Sequence, residues 1–203
     1  VINMKKISIL GLHLNYGGVE KAIVTQANML AEEYEVEMAI IYKMSEKPVF
    51  NIDPRVNVVY LTDLKPNRDE FIRKLKSFRI IGAFIEGVKA LSILKAKKNS
   101  MKNYIKKCDS DIMISSRIEI TELLNKYGKG KKIVEEHRHH NNDKKYIKRL
   151  YKATSNIDVL VCVSKELTCD YKSKFNRENI VYIPNSLDDF PDDVSKLESK
   201  RLI

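Results

Sequence analysis

The chain has 203 residues, of which 43% are hydrophobic and 32% charged, enough apolar content to fill one sizeable core and too much for a disordered or fibrous chain. Its 37 Lys and Arg against 27 Asp and Glu leave a formal charge of +10, a balance that suits anionic partners. Three cysteines, Cys108, Cys162 and Cys169, form no C-x-x-C pair, which argues against a disulfide framework or a cysteine zinc site and fits a reducing cytoplasm.

Met4-Lys5-Lys6 and the apolar run from Ile7 to Leu14 resemble a secretory signal only superficially. The run is short, contains His13 and leads into Asn-Tyr-Gly-Gly rather than a small-residue cleavage site, so it reads as a first buried strand, Ile7 to Leu10. Val19, Ala22, Ile23, Ala27 and Leu30 then recur at helical spacing. Val36 to Tyr42 and Val56 to Leu61 are rich in β-branched residues and read as strands, parted by a turn-like stretch with Pro48, Asn51, Asp53 and Pro54. Residues 69–107 read as helical, and their most apolar part, Ile80 to Leu94, is interrupted by Glu86 and Lys89, so it does not span a membrane. There follow Ile112 to Ile114 (strand), Glu119 to Tyr127 (helix), Ile133-Val134 (strand), Asp143 to Ala153 (helix), Val159 to Val163 (strand) and Ile180 to Ile183 (strand).

This alternation with short links predicts right-handed βαβ crossovers: an α/β fold with a doubly wound, largely parallel sheet of about seven strands. Ile7 to Leu10 is expected in its centre, with Gly17-Gly18 at its carboxyl edge, where doubly wound sheets bind ligands. Residues 1–190 are expected to form one domain. Asp188 to Ser199 is a polar, acidic linker, and 191–203 is read as that linker plus the opening of a second domain, because Lys200-Arg201-Leu202-Ile203 begins a new apolar run.

Three segments have the composition of a site. Gly11-Leu-His-Leu-Asn-Tyr-Gly17-Gly18-Val-Glu20 joins the first strand to the first helix, where glycines admit a close ligand and helix N–H groups favour phosphate. Its spacing is not G-x-G-x-x-G, which weakens a nicotinamide or flavin reading, and no G-K-[S/T] follows for a P-loop. Glu135-Glu136-His137-Arg138-His139-His140 follows a strand and holds three of the four histidines, without Cys or Asp at ligand spacing for a metal. The third is Val161-Cys162-Val163-Ser164-Lys165-Glu166 with Ile183-Pro184-Asn185-Ser186-Leu187-Asp188, a strand end with Ser164 as a helix cap, then a turn.

Taken in order, these segments resemble the N-terminal half of a family 4 glycosyltransferase of the two-domain GT-B fold. The matching features are the Gly-Gly-x-Glu loop with Ala27-Asn28-x-Leu30-Ala31, Ser110-Asp111-Ile112, the strand-end His137, Val-Ser-Lys-Glu and Ile-Pro-Asn-x-x-Asp. Ser186 stands where that family usually has Gly. The resemblance implies a Rossmann-like domain of an enzyme that transfers a hexose-type sugar from a nucleotide-diphosphate donor to a carbohydrate or lipid-linked hydroxyl acceptor. It implies retention of configuration, no metal or other cofactor, and a bacterial surface-polysaccharide or teichoic-acid pathway. By the same resemblance His137 is the catalytic histidine near the sugar, Gly17 and Gly18 form the donor diphosphate and sugar loop, Glu20 and Arg138 face the acceptor cleft, and Asn185 and Asp188 form the hinge. The donor-binding second domain lies outside these residues, so the chain alone is expected to be inactive.

Residues 65–107 hold thirteen Lys and Arg against three Asp and Glu, a surplus equal to the net charge of the whole chain. With Ile80, Phe84, Val88 and Leu91 on one stripe, Lys89, Lys95, Lys97, Lys98 and Lys102 are expected to meet an anionic membrane, placing a cytoplasmic enzyme peripherally on its inner face. A nucleic-acid module is disfavoured by the absence of Trp, of helix-turn-helix or RNP-like motifs, and of aromatics among the charges. The alternatives are a sugar-nucleotide epimerase of the same two-domain fold and a noncatalytic binding module.

Overall fold

A computed structural model describes residues 4–65, 72–73 and 80–186. The apolar runs form β1 (Lys6–Gly11), β2 (Glu35–Tyr42), β3 (Asn57–Thr62), β4 (Ile112–Ser115), β5 (Lys131–Glu136), β6 (Val159–Cys162) and β7 (Ile180–Tyr182). The helices between them are α1 (Gly18–Leu30), α2 (Ile80–Lys107), α3 (Ile118–Tyr127), α4 (Lys144–Ala153) and α5 (Lys165–Phe175). Every β1 residue after Lys6 is buried, as an interior strand of a parallel sheet must be. All seven strands pair in parallel in the order β3-β2-β1-β4-β5-β6-β7.

The doubly wound parallel sheet expected from the alternation is therefore present. β1 lies third, with β2 and β4 beside it, and the winding reverses between β1 and β4. That reversal splays the connections at the carboxyl edge and leaves a crevice there.

The two faces are covered unequally because successive side chains alternate across a strand. Ile7, Ile9, Met38 and Ile40 pack with Ile23, Val24 and Ala27 of α1 on one face. On the other, Leu10, Ile41 and Met113 meet Met101 and Ile105 of α2 and Ile120 and Leu124 of α3. Val134, Leu160 and Cys162 meet Leu150 of α4 and Leu167, Tyr171 and Phe175 of α5 on that same side. Among the described residues the first face thus has α1 alone, while the second carries four helices.

Residues 69–71 and 74–79 of the expected long helix lie outside the described residues, as do Asp188 and the expected linker at 191–203. The three cysteines are unpaired, Cys162 buried and Cys169 exposed.

Candidate active site at the carboxyl edge of the sheet

Three connections converge at the reversal point. β1 leads through His13 to α1, β4 leads through Ser116 and Arg117 to α3, and β5 leads to His137 and Arg138. Gly17 caps α1 without any side-chain hydrogen bond to the helix start. The N–H groups of the first turn are thus left for a ligand, reinforced by the helix dipole. Both glycines are exposed, with the strongly exposed Tyr16 beside them. Gly17 has extended backbone (φ 165°, ψ 148°), and neither glycine lies in the left-handed region. The loop thus needs them for space rather than for a left-handed turn: the region a Cβ on Gly18 would enter is open, whereas on Gly17 it would strike Glu20.

Glu20, expected at the acceptor cleft, lies instead beneath this loop with only 4% of its surface exposed. Its carboxylate accepts from Arg117 Nη2, and His13 Nδ1 lies 3.7 Å from the same oxygen. An anion in the first turn of a helix offsets the dipole, and the partly exposed Arg117 guanidinium offsets the carboxylate in turn. Burial pushes the His13 imidazole below its usual 6.5, with Glu20 opposing that shift and Arg117 adding to it.

A second carboxylate stands between His137 and α1. Glu135 accepts from Gln26 Nε2 of α1 and from Ser116 Oγ at 3.0 Å, and His137 Nε2 lies 3.5 Å from its Oε2. The side chains of Glu135 and His137 are each only 10% exposed. Glu136, pointing the other way, is buried and held by Tyr146 Oη at 2.7 Å and the Arg138 N–H at 2.8 Å; burial raises its carboxyl above the usual range. The exposed Arg138 guanidinium lies 4.7 Å from the Tyr146 ring centre.

The three clustered histidines part company. His137 faces Glu135, His139 accepts from the Asn141 N–H at 3.1 Å, and buried His140 pairs through Nε2 with Asp170 at 2.6 Å. The Asn142 N–H donates to His140 Nδ1 at 2.9 Å, which leaves the proton on Nε2 for Asp170. Asn141 and Asn142 both have positive φ, 47° and 57°, and fold the chain back sharply before α4. His140 is thus a brace between this turn and α5. Among the described residues no three His, Cys, Asp or Glu side chains are grouped to hold a metal ion.

His137 lines two cavities. A polar one of about 180 Å³ is walled by Ser116, Arg117, Glu135, Glu136, Arg138 and Tyr146. A larger trough of about 750 Å³ runs down the thinly covered sheet face over Ile114, Ile133 and Val161, and Asn185 and Ser186 lie at its margin. His137 and Arg138 thus share the polar crevice with Arg117 and with Val19 of the first turn of α1, Asn185 borders the trough, Glu20 is buried beneath the glycine loop, and the five lysines lie elsewhere on α2. Sequence reading assigned no role to His13, Arg117 and Glu135; the position of Glu135 near the carboxyl end of β5 and of the other two just after strand carboxyl ends was the available signal.

No protein-family model matches the chain. One short segment is 38% identical over 58 residues to an exopolysaccharide phosphotransferase of Streptomyces coelicolor, covering 29% of this chain and 6% of that protein. Among solved structures, a sucrose-phosphate synthase of Thermosynechococcus elongatus superposes with TM-score 0.57 at 12% identity, covering 89% of this chain and 48% of that one. TcCGT1 in complex with UDP gives 0.53 at 12% identity over 96% of this chain and 54% of that one. The lipopolysaccharide outer core galactosyltransferase WaaB gives 0.54 at 12% identity, over 90% and 46%. The chain spans about half the length of these three structures. Its fold is the Rossmann-like α/β domain found in GT-B glycosyltransferases.

Proposed function

We propose that the chain is the acceptor-side half of a two-domain glycosyltransferase that moves a sugar from a nucleotide diphosphate to a hydroxyl group. The observation that carries this reading is the crevice at the β1/β4 reversal, which the first turn of the uncapped α1, through Val19, lines together with Arg117 and His137. The reaction breaks the anomeric C–O bond to the diphosphate and makes a bond from that carbon to the acceptor oxygen, so negative charge collects on the leaving group. The α1 N–H groups and Arg117 are suited to receive that charge without rearrangement. Glu135, itself held by Gln26 and Ser116, orients His137 toward the sugar. Transfer with retention, without a metal and in polysaccharide assembly completes the proposal, and the short similarity to an exopolysaccharide phosphotransferase supports the last of these.

The test is product identity. The two-domain protein, incubated with uridine, guanosine and adenosine diphosphate sugars and a lipid-linked or oligosaccharide acceptor, should yield a glycoside whose anomeric configuration, read by NMR, matches the donor's. An epimerised sugar with no glycoside would assign the epimerase alternative, and no change to any sugar nucleotide would leave only a binding module.

A further inference from the structure

α2 is far longer than the strands it crosses. At about 1.5 Å per residue it extends some 40 Å. Its C-terminal half is anchored: Met101 and Ile105 are fully buried, and Tyr104 Oη bonds to Glu37 of β2 and to Ser8 of β1. The N-terminal half behaves differently. Ile85, Val88, Leu91 and Leu94 are 49%, 52%, 68% and 57% exposed. Such residues scattered singly on a surface are ordinary, but these follow one another along one helix segment.

Ile85, Val88, Leu91, Lys95, Lys98 and Lys102 recur at spacings of three and four, so one stripe passes from apolar to cationic. The five lysines expected at a membrane do not contribute alike. Lys95 is exposed on the stripe, Lys98 is exposed at the rim of the groove against α3 in which Lys97 is half-buried, Lys89 is paired with Glu86 at 3.2 Å, and Lys102 leans on the Tyr127 ring at 5.3 Å. Because α2 enters after β3 and delivers the chain to the start of β4, its apolar half lies toward the carboxyl edge, the edge that carries the crevice.

We infer that this stripe of α2 docks the domain on an anionic lipid bilayer, with Ile85, Val88 and Leu91 seated at the acyl boundary and Lys95 and Lys98 among the headgroup phosphates. The charge complementarity lies beside the exposed aliphatic side chains: α2 carries seven lysines and one glutamate. A nucleic acid would satisfy the lysines but offer the aliphatic side chains nothing, whereas an interfacial bilayer site takes both. No helix among the described residues is long and apolar enough to cross a membrane, so the contact is peripheral. It would face the crevice toward acceptors held in the bilayer. The docking stands independently of the glycosyl-transfer reading.

Co-sedimentation tests it, using vesicles of equal parts phosphatidylglycerol and phosphatidylcholine beside vesicles of phosphatidylcholine alone. The unaltered chain should sediment with the anionic vesicles only, and less at high salt, as the Debye length shrinks from ~10 Å at 0.1 M to ~3 Å at 1 M. Lys95→Gln with Lys98→Gln should weaken binding about fivefold per lysine and flatten its salt dependence. Val88→Ser with Leu91→Ser should weaken it roughly tenfold and leave the salt dependence intact. All four substitutions are at exposed sites, and unchanged thermal unfolding would show the fold preserved. Failure of the unaltered chain to bind anionic vesicles, equal binding to neutral ones, or either variant binding like the unaltered chain would overturn the proposal. Lysine-dependent capture by heparin without vesicle binding would overturn it in favour of another polyanion.

Discussion

An added Cβ on Gly17 would come within 2.0 Å of Glu20 Oε2, whereas one on Gly18 would meet nothing within 4 Å. Gly17→Ala should therefore push the carboxylate off Arg117 and destabilise the fold by about 2 kcal/mol, the range for disturbing a buried pair. Gly18→Ala, in the first turn of a helix, should leave thermal stability unchanged or raise it by about 0.5–1 kcal/mol while weakening donor binding in the two-domain protein. Equal melting shifts for the two would contradict this account of the loop. His13 makes a second prediction at this scale. Its folded pKa lies below the 6.5 of the unfolded chain, so between those values the unfolded state binds more protons and stability is lost as the pH is lowered. His13→Gln should flatten the slope of stability against pH below about 6.5, measured by urea unfolding at a series of pH values. The glycines were legible because their spacing sits at a strand-to-helix junction. The Glu20–Arg117 pair was not: 97 residues separate its members, and only the winding reversal brings them together.

Element by element, the switch between two-residue and helical periods was sufficient for the seven strands, because parallel strands buried on both faces leave continuous apolar runs. Helix starts were readable where a side chain caps them. Asp143, expected as the first residue of its helix, is instead its cap, accepting from the N–H groups of Lys145 and Tyr146 at 2.9 and 3.1 Å. Ser164, expected as a cap, accepts from the Leu167 N–H at 3.1 Å. Asp143→Ala and Ser164→Ala should each cost about 1 kcal/mol in chemical denaturation, and no loss at either position would show that packing alone sets these boundaries. The course of α2 was less legible. Its apolar residues do not all face the core, and periodicity cannot tell a buried stripe from an exposed one.

On the scale of the molecule, composition and alternation implied a doubly wound sheet, but not that one face would carry a single described helix. Apolar alternation marks both faces of β4, β5 and β6 without saying what covers them; the trough over Ile114, Ile133 and Val161 is visible only once the crossovers are placed. Likewise the sequence sets three histidines within four residues, and the fold sends them in three directions. That divergence yields the most direct test of the central claim, that the crevice at the β1/β4 reversal is a sugar-transfer site with His137 at its reacting centre. In the two-domain protein, acceptor-dependent release of nucleoside diphosphate should fall by about 10²-fold or more for His137→Ala, with the melting temperature unchanged. His139→Ala, at an exposed position, should leave the rate near that of the unaltered protein. His140→Ala should lower stability through loss of its Asp170 bond and lower the rate by less than His137→Ala. Equal losses at all three histidines, or a rate that survives His137→Ala, would contradict the assignment.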